Sequence, residues 1–545
     1  MRRRSRVATA LVMGPAALLM GTAALLASCS GADDAADRST TTRPGSTTEP
    51  VESVCGPTEV IAGFGAAEPA WVSECEKMNV TASFSAHDLT GDDVPDPIVN
   101  LVDGDVEFRV VALDGATGEQ LWVSRDGVTM ITVATFADVN GDGTTDVVIG
   151  GRGVPVDDRP LYAFDGRDGS TLWRVEALER DWRNVYTPQR VDDRDGDGVD
   201  DWLVATGGDW LRAPGEPVTV PGRLVLVGGA DGSVLAELDL PDAQETYNSP
   251  VLLHDGGQVH VLIGSGGELL PGALWRVPLD SVADGDGDAF VRLVDGDGVS
   301  SFIAPVSLGD VDGDGRTDAA VLRMDGQLTV LDPLSGEIRW TSTVQDVVGT
   351  LPPGSALSSL AVPALGQLDD DASLEVVALR TYVTDEQLRS GDVYGGDSVL
   401  TVHDGADGGI EHRLDGPTVG AVVSPLVVSS GGTPGVVCAC AAPIDAGERG
   451  TLLERSLDLA WWRPGTPPVS LGVLSSESMT PLLHESADGS VQLLWGALHM
   501  VDGAEHSIVS LVAPLTPAGP FDAVQWGGYM GHDATGYGSS VPARG

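Results

Sequence analysis

From about residue 83 to the C-terminus, short apolar runs alternate with acidic, glycine-rich breaks, and the alternation keeps a long period. PIVNLV from Pro97, VVIGG from Val147, WLVATG from Trp202 and AAVLRM from Ala319 each follow an acidic loop. Those loops read DLTGDDVPD at Asp88, DVNGDGTTD at Asp138, DRDGDGVDD at Asp193 and DVDGDGRTD at Asp310. A fainter copy, QLDDDASLE at Gln367, precedes VVALR. Short runs rich in Val, Ile and Leu between turn signals predict strands, and no segment sustains a helical period. With Ser83, Val133, Pro188, Pro250, Pro305, Pro363, Pro425 and Pro481 taken as equivalent, the steps run from 50 to 62 residues and define eight units. The copies at Pro250, Pro425 and Pro481 keep the flanking strands (VHVLIG, VVCACA, VQLLWG) but lose the acidic loop.

A second motif recurs on the far side of the unit. It reads ALDGATGEQLW from Ala112 to Trp122 and AFDGRDGSTLW from Ala163 to Trp173, with weaker versions from Val330 to Trp340 and from Val402. Asp-Gly between two alternating runs is a hairpin signal, because glycine supplies the positive φ the turn needs. Each unit is then strand, acidic loop, strand, strand, turn, strand. The expected fold is all-β: a β-propeller of eight four-stranded blades over residues 80–545. Radial packing covers both faces of each small sheet and protects its edges. A row of separate sandwiches would need longer and more polar linkers than this chain has.

In D-x-D-x-D-G-x-x-D, positions one, three, five and nine offer side-chain oxygens and position seven a carbonyl. Hard, negatively charged oxygen donors suit Ca²⁺, and four carboxylates in nine residues repel one another without a cation. The expected ligand sets are Asp138, Asn140, Asp142 and Asp146; Asp193, Asp195, Asp197 and Asp201; and Asp310, Asp312, Asp314 and Asp318. A weaker set is Asp88, Thr90, Asp92 and Asp96, since Thr is a poor third ligand. Gln367, Asp369, Asp371 and Glu375 form either a degenerate site or an acidic turn. DGDGD at Asp284 lacks a ninth-position acid and reads as a solvated insertion. Calcium is expected to support folding rather than catalysis.

At the N-terminus, Arg2, Arg3, Arg4 and Arg6 precede an apolar stretch from Val7 to Leu26. This is the layout of a secretory signal; a membrane anchor is the alternative. Leu26-Ala27-Ser28-Cys29 resembles the bacterial lipobox, which implies a signal peptide at 1–28 and lipidation of Cys29. Residues 29–54, rich in Ser, Thr, Pro and acids, read as a solvated tether, and 55–79 as a lead-in to the propeller. The expected address is export, with lipid anchorage to the outer face of the cell membrane.

The charge sharpens this. Lys plus Arg number 31 against 81 Asp plus Glu, a net −50, and Lys77 is the one lysine. A nucleic-acid partner is excluded, for want of a basic footprint. So are P-loop and kinase chemistry, which need a lysine on the phosphates. An exported chain permits disulfides, and Cys55 with Cys75 is the preferred pair. Cys438 and Cys440 would share a strand face, as a bonded pair or as two small buried residues.

The acidic loops with their flanking strands resemble the FG-GAP or VCBS-type repeats of integrin-like propellers. The segment around Asp114, Gly118 and Trp122 resembles the tryptophan-docking repeat of quinoprotein-like propellers, and Trp526–Gly538 resembles a closing segment of such chains. That family includes pyrroloquinoline quinone dehydrogenases and also non-catalytic lipoproteins that assemble other proteins. No HExxH or GxSxG motif is present. The expected function is therefore a monomeric, non-catalytic binding or scaffold lipoprotein for an envelope protein or glycan. The alternatives are a quinone-dependent dehydrogenase and a polysaccharide-active propeller. The acidic insertions near Asp284 and from Thr384 to Asp397 are either contact loops or simply solvated.

Overall fold

The structure, a computed structural model, describes residues 53–59, 66–76, 83–103, 107–127, 133–153, 159–177, 180–208, 219–267, 270–298, 300–349, 356–357, 359–383, 397–417, 423–441, 457–474, 480–485, 489–501 and 504–538. The expected signal segment, Cys29, the expected tether up to residue 52 and the insertion at 384–396 lie outside these.

Each repeat folds as the alternation predicts. Unit one is the antiparallel sheet Ser85–His87, Asp96–Asp103, Glu107–Leu113 and Gln120–Val123. Unit two runs from Thr135 to Val175, unit three from Gln189 to Asp239, unit four from Val251 to Asp295 and unit five from Ser307 to Ser342, each a four-stranded sheet in chain order. Unit six, from Ala364 to Pro417, adds the short strand Ala356–Leu357. Second and third strands are buried along their whole length in units two and five, as strands packed on both faces must be. Two short helices, Leu279–Asp284 and Val344–Val348, interrupt the all-β pattern, and Asp284–Asp288 is exposed.

In units four and seven, where the acidic loop is lost, a two-glycine hairpin replaces it. Gly256 and Gly257 (φ +53° and +93°) join the first two strands of unit four, and Gly431 and Gly432 (φ +55° and +71°) those of unit seven. Positive φ at both turn positions is what a two-residue hairpin requires.

The remaining strands form one ten-stranded sheet. It contains unit seven (Leu426–Ser430, Thr433–Ala441, Leu457–Trp462, Val469–Leu474) and unit eight (Leu482–Glu485, Val491–Val501, Ala504–Thr516). The fourth strand of unit eight comes from the other end of the chain: Ala67–Cys75 pairs with Ala504–Thr516. Cys55–Pro57 pairs with that strand in turn, with Cys55 opposite Cys75, and the two cysteines are bonded. Buried apolar clusters link every unit to its successor, and one cluster joins Trp71, Val509 and Leu511 to Val99 and Val111, so unit eight closes on unit one. Four-stranded sheets packed face to face around a closed circle are the arrangement of a β-propeller.

Candidate functional site

The acidic loops all connect first to second strands, and unit three shows their construction. Asp193 accepts from Gly196 N at 2.6 Å and from Gly198 N at 2.9 Å. Asp195 accepts from Asp197 N at 3.0 Å, and Asp197 from Val199 N at 2.8 Å. Gly196 and Gly198 take φ of +82° and +93°, which lets the backbone wrap these carboxylates. The Gly198 and Gly196 N–H groups hold Asp193 below the usual carboxylate range. Units one and two repeat the pattern. Asp88 accepts from Gly91 and Asp93 N at 2.6 and 2.9 Å, and Asp138 from Asp142 and Gly143 N at 3.1 and 2.9 Å.

The ninth-position acid does a second job. Asp96, Asp146 and Asp201 are fully buried at the start of the second strand. One oxygen of each accepts from loop N–H groups (Leu89 and Thr90, Val139 and Asn140, Arg194). The other accepts from the glycine N of the turn between third and fourth strands: Gly115 at 2.8 Å, Gly166 at 3.0 Å, Gly229 at 2.9 Å. The carbonyls of those same glycines accept, each at 2.7 Å, from the indole Nε1 of the preceding unit's last strand: Trp71, Trp122 and Trp173. Trp340 docks on Gly405 in the same way between units five and six. Each ring lies on a second glycine (Gly118, Gly169, Gly232, Gly408) whose added Cβ would stand 2.4–2.7 Å from ring carbons. A line of ties thus runs from one unit's tryptophan through the next unit's turn into its acidic loop. Burial pushes the pKa of Asp96 up to about 6 and raises those of Asp146 and Asp201.

Three groups of carboxylates converge, with oxygens within 4.8 Å of one another: Asp193, Asp195 and Asp197; Asp310, Asp312 and Asp318; and Asp369, Asp371 and Glu375. Asp201 and Asp314 stand outside their groups, Asp201 on backbone N–H and Asp314 on Arg316 at 2.5 Å. Asp88, Asp92 and Asp96 do not gather this closely, nor do Asp138, Asp142 and Asp146. Thr90 Oγ1 sits 3.5 Å from Asp88, and Asn140 accepts from Asp142 N at 2.9 Å. The strength of the unit-six group was not legible in QLDDDASLE, whose first position is not acidic. Trp71 was missed as a docking residue because its sheet partner lies at the opposite chain end.

The axis is occupied by the chain itself. Gly519–Trp526 pairs with the first strand of unit seven, and this strand and the residues after it reach five other units at or beside their first strands. Gln189 of unit three donates to Ala534 O at 3.1 Å, and Gly536 packs on Val251 of unit four. Leu308 N of unit five donates to Gly536 O at 2.7 Å. Gln525 exchanges hydrogen bonds of 2.6 and 3.2 Å with the Gln367 backbone of unit six, and Leu483 N of unit eight reaches Gly527 O at 2.7 Å. One short segment can touch six units only where their first strands converge. Trp526 and Met530 are fully buried there.

No family model matches the chain, and no curated protein matches it. Among solved structures, a quinohemoprotein alcohol dehydrogenase from Pseudomonas putida HK5 is 13% identical, over 82% of this chain and 76% of that one, with a TM-score of 0.50. BamB from Moraxella catarrhalis is 13% identical over 84% and 93%, with a TM-score of 0.37. The rhamnogalacturonan lyase YesW is 14% identical over 84% and 75%, with a TM-score of 0.44. At 13% identity the likeness to the first of these shows a fold, the β-propeller, and nothing about chemistry.

The pyrroloquinoline quinone implied by the quinoprotein resemblance does not fit the residues present. Trp526 and Met530 are buried in the space at the axis, with Tyr529 partly buried beside them. Cys438 and Cys440 form a bonded pair on the second strand of unit seven.

Proposed function

We propose that this chain is an exported lipoprotein, anchored through Cys29, whose eight-bladed, calcium-stabilised propeller serves as a non-catalytic binding or scaffold module on the cell envelope. The observation that carries the reading is the filled axis. A ring whose centre is taken up by its own C-terminal segment presents its faces and rim to partners, where connecting loops vary from unit to unit. The FG-GAP-like character of the loops supports calcium as the cation, with affinity of about 0.1–1 mM, as in extracellular modules. A net charge of −50 favours a protein partner, or a glycan engaged through calcium, over a bare anionic polymer.

The test has two arms. Detergent phase partition should place the parent in the detergent phase and a Cys29→Ala variant in the aqueous phase. Affinity capture from envelope extracts, with calcium and with chelator, should retain a defined protein or glycan only with calcium. Dye reduction on addition of pyrroloquinoline quinone would overturn the non-catalytic reading.

A further inference from the structure

In units five and six, motif quality and surroundings point in opposite directions. Unit five carries the full nine-residue pattern and leaves Asp310 Oδ1 unpaired, yet Asp312, Asp314 and Asp318 already face guanidinium groups. Arg339, on the fourth strand, places Nε 3.3 Å from Asp318 Oδ1 and 3.6 Å from Asp312 Oδ2. Its Nη2 lies 3.8 Å from Asp314 and 3.9 Å from Asp332. Arg316 holds Asp314 at 2.5 Å. Arginine does not deprotonate in proteins. A divalent ion between Asp312 and Asp318 would therefore have to displace Arg339, whose side chain is only 17% exposed, or share its space against like charge.

Unit six has the degenerate pattern and the opposite surroundings. Asp369, Asp371 and Glu375 bring their carboxylate oxygens within 4.8 Å of one another. Glu375 is 0% exposed; its Oε2 accepts from Leu368 N, while its Oε1 has no hydrogen-bond partner. The aspartates at this position in units one to three use their second oxygen on a glycine N–H. A buried carboxylate oxygen left unpaired is costly, and a cation is the partner that removes the cost. The charges bearing on Glu375, those of Asp369 and Glu411, are both negative. Gln367 is a brace: its Nε2 donates to the Asp371 and Ser373 carbonyls at 2.8 and 3.0 Å and holds the loop closed.

We propose that unit six, through Asp369, Asp371 and Glu375, is a divalent-cation site of the calcium class, and that the loop of unit five is instead neutralised from within by Arg339 and Arg316. Three carboxylates and water complete a hard-oxygen shell without a first-position acid. This rests on the calcium reading above, and the experiment separates the two.

The purified full chain is dialysed to equilibrium against about 2 mM calcium chloride, above the affinity range of such modules. Bound calcium per chain is counted by atomic absorption, with near-ultraviolet circular dichroism as the control for folding. Glu375→Gln should bind one ion fewer than the parent, Asp312→Asn the same number, and Arg339→Met one more. If Glu375→Gln does not fold, the exposed Asp369→Asn variant is counted instead and should also lose one ion. Calcium bound by the parent with Glu375→Gln or Asp369→Asn unchanged, or one ion lost in Asp312→Asn, overturns this assignment and leaves the calcium reading standing. No calcium on the parent overturns both.

Discussion

Units one to three and units seven and eight are built from the same four-strand plan but held to their neighbours differently. In the early units one line of ties repeats: an indole on a glycine carbonyl, that glycine's N–H on a buried aspartate, and the aspartate on the acidic loop. In unit seven the acidic loop is gone, and Trp461 lies against Gly435 of its own unit instead of docking on the next. In place of local ties, the late units use the two chain ends: the strand Ala67–Cys75 closes unit eight, and Gly519–Trp526 adds to the inner edge of unit seven. Adding a strand to an exposed sheet edge is a mode of peptide recognition, used here within one chain. Joints repeated in the sequence are local; the joint that closes the ring is made once, between residues hundreds of positions apart.

The largest expected effect comes from breaking an early joint. Trp173→Ala removes a 6% exposed indole and its bond to Gly229, and should cost about 3–5 kcal/mol. Chemical denaturation measures this, and hydrogen exchange should place the loosened amides in units two and three. A loss below about 1 kcal/mol would mean that the early joints are redundant. The matching break in the closing joint is the pair Cys55→Ser with Cys75→Ser. That bond closes a loop of sequence separation 20, so its removal should cost about 3 kcal/mol and expose unit eight first.

Acid and chelator should then divide the ring. Burial pushes both His403 of unit six and His484 of unit eight down to about 4, with Arg380 adding to the effect at His403. Both are neutral in the fold and take up a proton more readily when unfolded, where the pKa is 6.5. Their stabilisation is complete above about pH 6.5 and is lost as pH falls toward 4, by up to about 3 kcal/mol each. Chelation acts on the cation-holding acidic loops instead, so units four, five, seven and eight should not respond. With Kd of about 0.1–1 mM and calcium at about 2 mM, each filled site contributes about 0.6–1.8 kcal/mol. Pepsin cleavage at falling pH should begin in units six to eight. Trypsin with chelator should instead begin at Arg167 and Arg194, in and beside the early loops. The same first cuts under both conditions would refute the division.

How much of this was legible follows the same divide. The unit boundaries, the turn glycines and the docking role of the segment from Asp114 to Trp122 were readable, because each depends on residues within one repeat. Ring closure was not: nothing near Trp71 says that it pairs with Leu511. The loops were readable as acidic, but their charge balance was not. Arg339 lies 21 positions after Asp318 in sequence, and only the hairpin between third and fourth strands brings its guanidinium back to the loop. The value of Glu375 was hidden too, since nothing near it in sequence says that one of its oxygens finds an N–H and the other none.

The smallest effect is expected at the second disulfide, and its size tests the account of closure. Cys438 and Cys440 are bonded across a sequence separation of 2, on a strand already paired on both sides. So short a loop removes little freedom from the unfolded chain, about half the effect of the Cys55–Cys75 bond. Both cysteines are also well buried, at 4% and 8% exposure, so serine in their place adds a small polar cost. Cys438→Ala with Cys440→Ala avoids that cost and should lose no more than about 1–2 kcal/mol. Thermal melts of the two double mutants side by side decide the point. If loss of the unit-seven bond proves the costlier, the late units depend on a local covalent tie after all, and the contrast between repeated early joints and a single long-range closure would have to be withdrawn.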